Sequence, residues 1–331
     1  MKKVFLAAVC VMLLAVLAGG AFAADKPWKL AHIRPEGTPI DISMKDFVKQ
    51  VREKTDGRVN IEIYPASQLG DYTTVQERVS IGDIEMQTAC LSPAVTKAIG
   101  LNSMPYIVTN WKEAEKAYGP GGVIFQKMAE HLAKQDIHVL AAWPVYFGGI
   151  VLTKEPLAPA DPNVPKNIKI RVPPIRSFEL CATALGYQAT PVPWADTFTA
   201  MQTGIVEGGI GAGAEGYYAN FRDLAKYYLA VNDHFECWFM YINKEVWDRL
   251  SDEDKNTMTE VAQETEKARW KVAEAEEKQN EKKLAEIGVK VITFTDGELD
   301  AMRKKNAEIV WPPMYEEIPE ADVKAVLDSL K

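Results

Sequence analysis

Histidine and cysteine are scarce in this chain, four of each in 331 residues, and their placement excludes several chemistries. His32, His131, His138 and His234 stand far apart. There is no His-Glu-x-x-His pair and no carboxylate at metal-binding spacing, which leaves no footing for a metal site. Cys90, Cys181 and Cys237 make an odd number outside the apolar leader that holds Cys10. Without a Cys-x-x-Cys pair, a disulfide scaffold or zinc ribbon is not indicated. They read as small buried hydrophobes, and a single disulfide among them is left open. No Gly-x-Ser-x-Gly occurs, and Cys181 has no local motif that would make it a nucleophile. Positive charge is in deficit, 38 Lys and Arg against 46 Asp and Glu, a formal −8. An acidic chain has no electrostatic reason to hold nucleic acid or an anionic membrane.

What is present begins with an address. Lys2 and Lys3 precede an apolar run from Val4 to Ala18, and Ala21-Phe22-Ala23 before Ala24 forms a small-x-small cleavage pattern. This predicts a secretory signal peptide over residues 1–23 and an exported mature protein. Val9 before Cys10 is too bulky for a lipoprotein signal, so no lipid anchor is expected. No later apolar run approaches the ~18 residues needed to cross a bilayer, so the mature chain is not expected to be membrane-embedded. Losing Lys2 and Lys3 takes the formal charge from −8 to −10. An anion would therefore have to be bound by local positive groups inside a cleft, against the net field. The ~300 residues that remain suffice for two lobes.

Trp28 to Ile33 reads as a strand, followed by a loop and a helix capped by Asp41 with Met44, Phe47, Val48 and Val51 on its apolar face. Val59 to Tyr64 alternates as a strand, Tyr72 to Ile81 as a helix, and Ile84 to Thr88 as a short strand. That order marks a parallel sheet covered by helices, with ligands beyond the carboxyl ends of its strands. His32, Arg34 and Gln68 fall on that rim. His138 to Trp143 and Gly148 to Lys154 read as strands that carry the chain into a second lobe. From Ser251 a charged helix runs to Ile287, its alternating Glu and Lys read as a solvated face. A strand over Val289 to Phe294 and a last helix from Glu298 carrying Trp311 follow. The expected division is 24–148 plus about 236–275 for lobe one, and 149–235 plus about 276–331 for lobe two.

The candidate site centres on Lys169-Ile170-Arg171-Val172-Pro173, a short apolar strand with one arginine at its end. A guanidinium's planar fork suits two oxygens of a carboxylate or sulfonate, although an arginine beside a proline turn is ordinarily a surface charge. Trp194, Tyr217, Tyr218 and Phe221 would be core aromatics in most settings. Here they follow Arg171 on neighbouring loops, as the apolar walls of a small-molecule pocket would. Gly211-Ala212-Gly213-Ala214-Glu215-Gly216 matches a dinucleotide fingerprint. It lies far into the chain rather than at a first strand–helix turn, so Gly211 reads as cleft-lining backbone and Glu215 as an acceptor or a solvated acid.

In their order these segments resemble one family, the extracytoplasmic solute-binding proteins of TRAP transporters, the DctP-type group. The resemblance spans nearly the whole mature chain. It rests on Gln68-Leu69-Gly70, Met104-Pro105-Tyr106, Lys169-Ile170-Arg171-Val172 and Pro191-Val192-Pro193-Trp194. It continues through Ala200-Met201-Gln202-Thr203-Gly204-Ile205-Val206-Glu207-Gly208, Ile242-Asn243-Lys244 and Leu284-Ala285-Glu286-Ile287-Gly288-Val289. It implies an α/β, two-lobed periplasmic-binding-protein-like fold with an interlobe ligand cleft and a long bracing helix. The implied function is capture of an organic acid for a small and a large membrane permease subunit, without cofactor, metal or catalysis. Arg171 takes the family's acid-binding position. Trp194 and Tyr217 would be walls and Glu215 would read the cargo's far end, with Tyr218, Gly211, His32, Arg34 and Gln68 as further contacts.

Two departures bear on the cargo. Gly148-Gly149-Ile150 stands where many members carry a second arginine, and Gly209-Ile210-Gly211 where many carry an asparagine. The loss of those donors argues against a dicarboxylate or large sugar acid. It favours a short hydroxy-carboxylate or a sulfonate such as isethionate, with an amino acid or aromatic acid as the alternative. The reading of another class is an exported enzyme acting on a small acid, which would need an acid/base pair that the sequence does not offer. A subunit that reports to a membrane receptor would have the same lobes.

Overall fold

The apolar positions of this chain sort into two sheets, joined by crossings that put a cleft between them. The structure, a computed structural model, describes residues 26–331; the signal peptide expected over 1–23 lies outside the described residues. The chain runs β1 (Trp28–Ala31), α1 (Pro39–Lys54), β2 (Ile61–Tyr64), α2 (Tyr72–Ser80) and β3 (Met86–Ala89). A 3-10 segment, Lys97–Ser103, leads to α3 (Trp111–Tyr118), α4 (Val123–Ala133) and β4 (Ile137–Phe147). Then come β5 (Gly149–Leu152), β6 (Lys169–Val172), α5 (Arg176–Ala184), β7 (Gln188–Pro191), α6 (Thr197–Gln202), β8 (Gly208–Ala212), α7 (Ala214–Phe221) and β9 (Tyr227–Leu229). The last part is β10 (Phe235–Asn243), α8 (Lys244–Asp248), α9 (Asp252–Glu286), β11 (Lys290–Ile292), α10 (Asp296–Ile309), α11 (Trp311–Met314) and α12 (Glu320–Leu330).

One sheet has the order β2-β1-β3-β10-β4, the other β11-β9-β5-β8-β6-β7. Both are mixed rather than purely parallel. β1 runs parallel to β2 and β3, but β10 runs antiparallel to β3 and β4. In the second sheet β6 is parallel to β7 and β8, while β5 is antiparallel to β8 and β9. The exceptions have one cause. β4 continues past Gly148 into β5, and β9 leads back through residues 230–234 into β10, so each lobe receives a strand begun in the other. Gly148 sits where a Cβ would come within 2.2 Å of the His234 ring, so the two crossings touch only because this residue has no side chain.

The long helix α9 is the third link. Ser251 caps it by accepting from the Asp254 amide, and three acids in its first turn suit the positive end of its dipole. Its charges are not all solvated, contrary to the pattern read from sequence. Glu266, Arg269 and Glu277 turn inward against β4. Glu266 accepts from the Ala142 amide, Arg269 donates to the Pro144 carbonyl, and Glu277 accepts from the Phe147 amide and the Trp111 indole. β4 is the edge strand of its sheet, so its outward backbone groups have no strand partner and those side chains satisfy them. Burial pushes both glutamates up to about 7.

The end of the chain also departs from expectation. The helix begun at Asp296 stops at Ile309, and Pro312-Pro313 start a separate turn that holds Trp311. α10 packs on α5, but α12 packs on α3 and α4, with Val310, Met314, Ile318, Val323 and Val326 in the first lobe's core. Residues 311–331 therefore return to lobe one, not lobe two as the expected division has it. Cys90, Cys181 and Cys237 are all free thiols. Among the described residues no helix is long and apolar enough to cross a membrane.

Candidate functional site

Between the lobes lies a narrow cavity of about 30 Å³, room for a water-sized group while the lobes are shut. β6 delivers Arg171 to it. Ile170 and Val172 belong to the second lobe's core, which turns Arg171 to the other face at the strand's carboxyl end, beside Gly209 of β8. The side chain is 2 % exposed. Its Nε donates to the Val192 carbonyl at 2.9 Å and its Nη1 to the Ile210 carbonyl at 3.2 Å. Nη2 has no protein partner among the described residues, and no carboxylate bonds the group. Burial pushes its pKa down, yet a guanidinium stays charged. Gly211, at φ +90°, places its backbone where a Cβ would meet the Pro173 ring at 2.5 Å, so only glycine allows β8 to leave the cavity wall here.

Arg34 reaches the same cavity from lobe one. Its guanidinium lies between the Trp194 and Trp238 rings, 4.8 and 4.9 Å from their centroids. Arg171 lies 5.5 Å from the Trp194 centroid, so one indole carries a cation from each lobe. Unlike Arg171, Arg34 is paired. Its Nε donates to Glu215 at 2.9 Å and its Nη2 to the Tyr146 hydroxyl at 3.0 Å. The approach is possible because Gly216 has no side chain; a Cβ there would stand 2.7 Å from Arg34 Nη2. The Arg34–Glu215 bond joins the lobes, as do the Asp71 carboxylate with the Ala195 amide and the Ser103 and Ser177 hydroxyls at 3.3 Å. These contacts describe a closed cleft.

Of the nine residues singled out from sequence, the cavity brings together Arg34, Arg171, Trp194 and Gly211. Glu215 is corrected from a cargo-reading acid to the partner of Arg34. Tyr217 is corrected from a wall to an internal tie, since its hydroxyl lies 3.0 and 2.9 Å from the carbonyls of Gly149 and Gly209. Tyr218 is on the outer side, near Arg222 and Lys283. His32 is buried behind the rim, and burial lowers it to about 4 despite Asp41 nearby, so it is neutral at pH 7. Gln68 is exposed and lines no part of the cavity.

Sequence reasoning missed Glu236, Trp238 and Asn102, which also line the cavity. Alternation in a fully buried strand carries no signal of which residue meets a cleft. Glu236 belongs to a buried chain of groups at the crossing. His234 bridges Asp233 at 2.7 Å and Glu236 at 3.0 Å, and Trp238 donates to Glu236 at 2.6 Å. Burial opposes protonation of His234, but the charge of Asp233 and the two hydrogen bonds outweigh it and hold the group up at about 10. With carboxylates on both ring nitrogens, His234 has no free nitrogen for proton transfer to a cargo. Because its folded value lies above the usual 6.5, its contribution to stability is complete below about pH 6.5 and fades as pH climbs to about 10. Calorimetry should show the melting temperature falling between pH 7 and 10, with a shallower fall in His234→Gln. Equal slopes would place the pH dependence elsewhere.

Comparison with known proteins agrees over most of the chain. The family model described as bacterial extracellular solute-binding protein, family 7 (DctP), matches residues 30–317. A solute-binding protein of Chromohalobacter salexigens is 25 % identical over 300 residues, 88 % of this chain and 85 % of the relative. A crystal structure of a TRAP periplasmic solute-binding protein from the same organism, with bound D-glucuronate, superposes with a TM-score of 0.84 at 22 % identity, covering 91 % of this chain and 99 % of that one. The sugar acid binding protein DctPAm of Advenella mimigardefordensis, in complex with galactonate, gives a TM-score of 0.84 at 21 % identity, covering 92 % and 97 %.

Proposed function

This chain belongs to the DctP family, family 7 of the bacterial extracellular solute-binding proteins, and from that premise we propose that it is the periplasmic receptor of a TRAP transporter for a small organic anion. The observation that carries the reading is Arg171, a buried cation that faces the cavity and bonds only to backbone carbonyls among the described residues. An unpaired buried charge costs several kcal/mol, and an acid group bound there would offset that cost. Two N–H groups held by backbone carbonyls fix the guanidinium, so its remaining donors meet the cargo without reorganisation. The cargo's contacts to both lobes favour closure about the crossings at Gly148 and residues 230–234, and the closed form is the one a small and a large permease subunit would receive. The relatives' bound D-glucuronate and galactonate support an acid as cargo. The short hydroxy-carboxylates and sulfonates, isethionate among them, remain the favoured candidates here, ahead of amino and aromatic acids.

A thermal-shift screen of the mature protein against carboxylates, sulfonates and amino acids tests this. At a hundredfold excess over Kd, a ligand of the folded state adds about 2.7 kcal/mol, and the acid should be recovered unchanged. No shift with any acid would remove the receptor reading, and conversion of the acid would replace it with an enzyme.

A further inference from the structure

The cavity offers acceptors as well as cations. Glu236 enters from β10 in lobe one, opposite in origin to Arg171 on β6 of lobe two. Its carboxylate is held at both oxygens, Oε1 by the Trp238 indole and Oε2 by the His234 ring. Each carboxylate oxygen accepts about two hydrogen bonds, so one position on each remains. Asn102 supplies a second acceptor. Its Nδ2 donates to the Cys237 carbonyl at 3.4 Å, while its buried Oδ1 has no partner, a group that costs free energy until a donor meets it. Neither acceptor has a use in holding an acid group. Both would be satisfied by a donor on the cargo, and the carboxylate would repel a second acid group.

We propose that Glu236 is the specificity-determining residue of this cavity, selecting acids that carry a hydroxyl or ammonium donor besides the acid group and rejecting dianions. The proposal rests on the reading that Arg171 holds the acid group. It predicts a cargo of one negative charge with a donor a short chain away, such as a hydroxy-carboxylate, a hydroxy-sulfonate or an amino acid. Hydrogen bonds to a charged acceptor are worth about 10- to 150-fold in affinity.

The test is isothermal titration of the mature protein with matched ligands: 3-hydroxypropionate against propionate, 2-hydroxyethanesulfonate against ethanesulfonate, β-alanine and taurine for the ammonium, and succinate for the dianion. In at least one series the donor-bearing acid should bind at least ~30-fold more tightly than its donor-less partner, and succinate more weakly than either. Glu236→Gln should bring the ratio below ~5-fold. The preferred donor arm tells hydroxyl from ammonium. Acids that bind with no preference for a donor, a succinate preference, or a preference that survives in Glu236→Gln would each overturn the assignment of Glu236 while leaving the receptor reading intact. Failure of every acid to bind would instead remove the receptor reading on which it rests. The wild-type ligand series stands by itself should the variant not fold.

Discussion

Arg171→Lys is expected to weaken binding of the cargo about 100-fold, and Arg171→Met about 1000-fold, with no loss of fold. A charge-assisted hydrogen bond is worth about 1.5–3 kcal/mol. Lysine keeps the charge but presents a point donor in place of a planar fork. It also cannot hold the Val192 and Ile210 carbonyls while it reaches the ligand, as Nε and Nη1 now do. Stability should move the other way. In the unliganded protein Arg171 is buried without a counter-charge, so Arg171→Met removes a desolvation cost and should leave the melting temperature unchanged or higher. Titration calorimetry and scanning calorimetry on the same samples check both signs. Affinity kept within threefold in Arg171→Met would move the anion site elsewhere in the cleft.

Arg34→Met is expected to lower affinity by about 100-fold for a different reason. The Arg34–Glu215 pair exists only while the lobes touch, and breaking a buried pair from one side costs about 3–5 kcal/mol. That cost falls on the closed form, because in an open cleft Glu215 would be hydrated. A binding-competent form made rarer lowers apparent affinity in proportion. Methionine keeps the apolar stem between Trp194 and Trp238, so packing is largely preserved. The double variant Arg34→Met/Glu215→Leu should recover at least tenfold, since it removes the stranded charge. X-ray scattering with saturating cargo should show the single variant closing less fully than the double. If the second substitution rescues nothing, Arg34 acts by direct contact with the cargo rather than as a latch between lobes.

The two arginines show how far a linear reading reaches. Arg171 was legible only through the order of the motifs around it, since an arginine beside a proline turn is ordinarily a surface charge. Arg34 was legible only as a rim residue, since nothing within Arg34-Pro35-Glu36-Gly37 announces a partner 181 residues away at Glu215. The glycines of 211–216 were noticed as a motif, but their purpose is steric. Gly211 clears the Pro173 ring and Gly216 clears the Arg34 guanidinium, facts about distant neighbours. Glu236 was invisible because every residue of β10 is buried, and burial on both faces erases the alternation that would have marked the cleft side.

The sequence by itself determined the alternation of strands and helices, the capped 35-residue helix and the arginine at the end of β6, because propensity, capping and period act over a few residues. Only the tertiary structure decided which lobe receives the last helices, why the charges of α9 turn inward and which carboxylate meets the cavity. Those outcomes depend on backbone groups left open on an edge strand, on charges paired across lobes and on close approaches at glycine, all set between residues far apart in the chain.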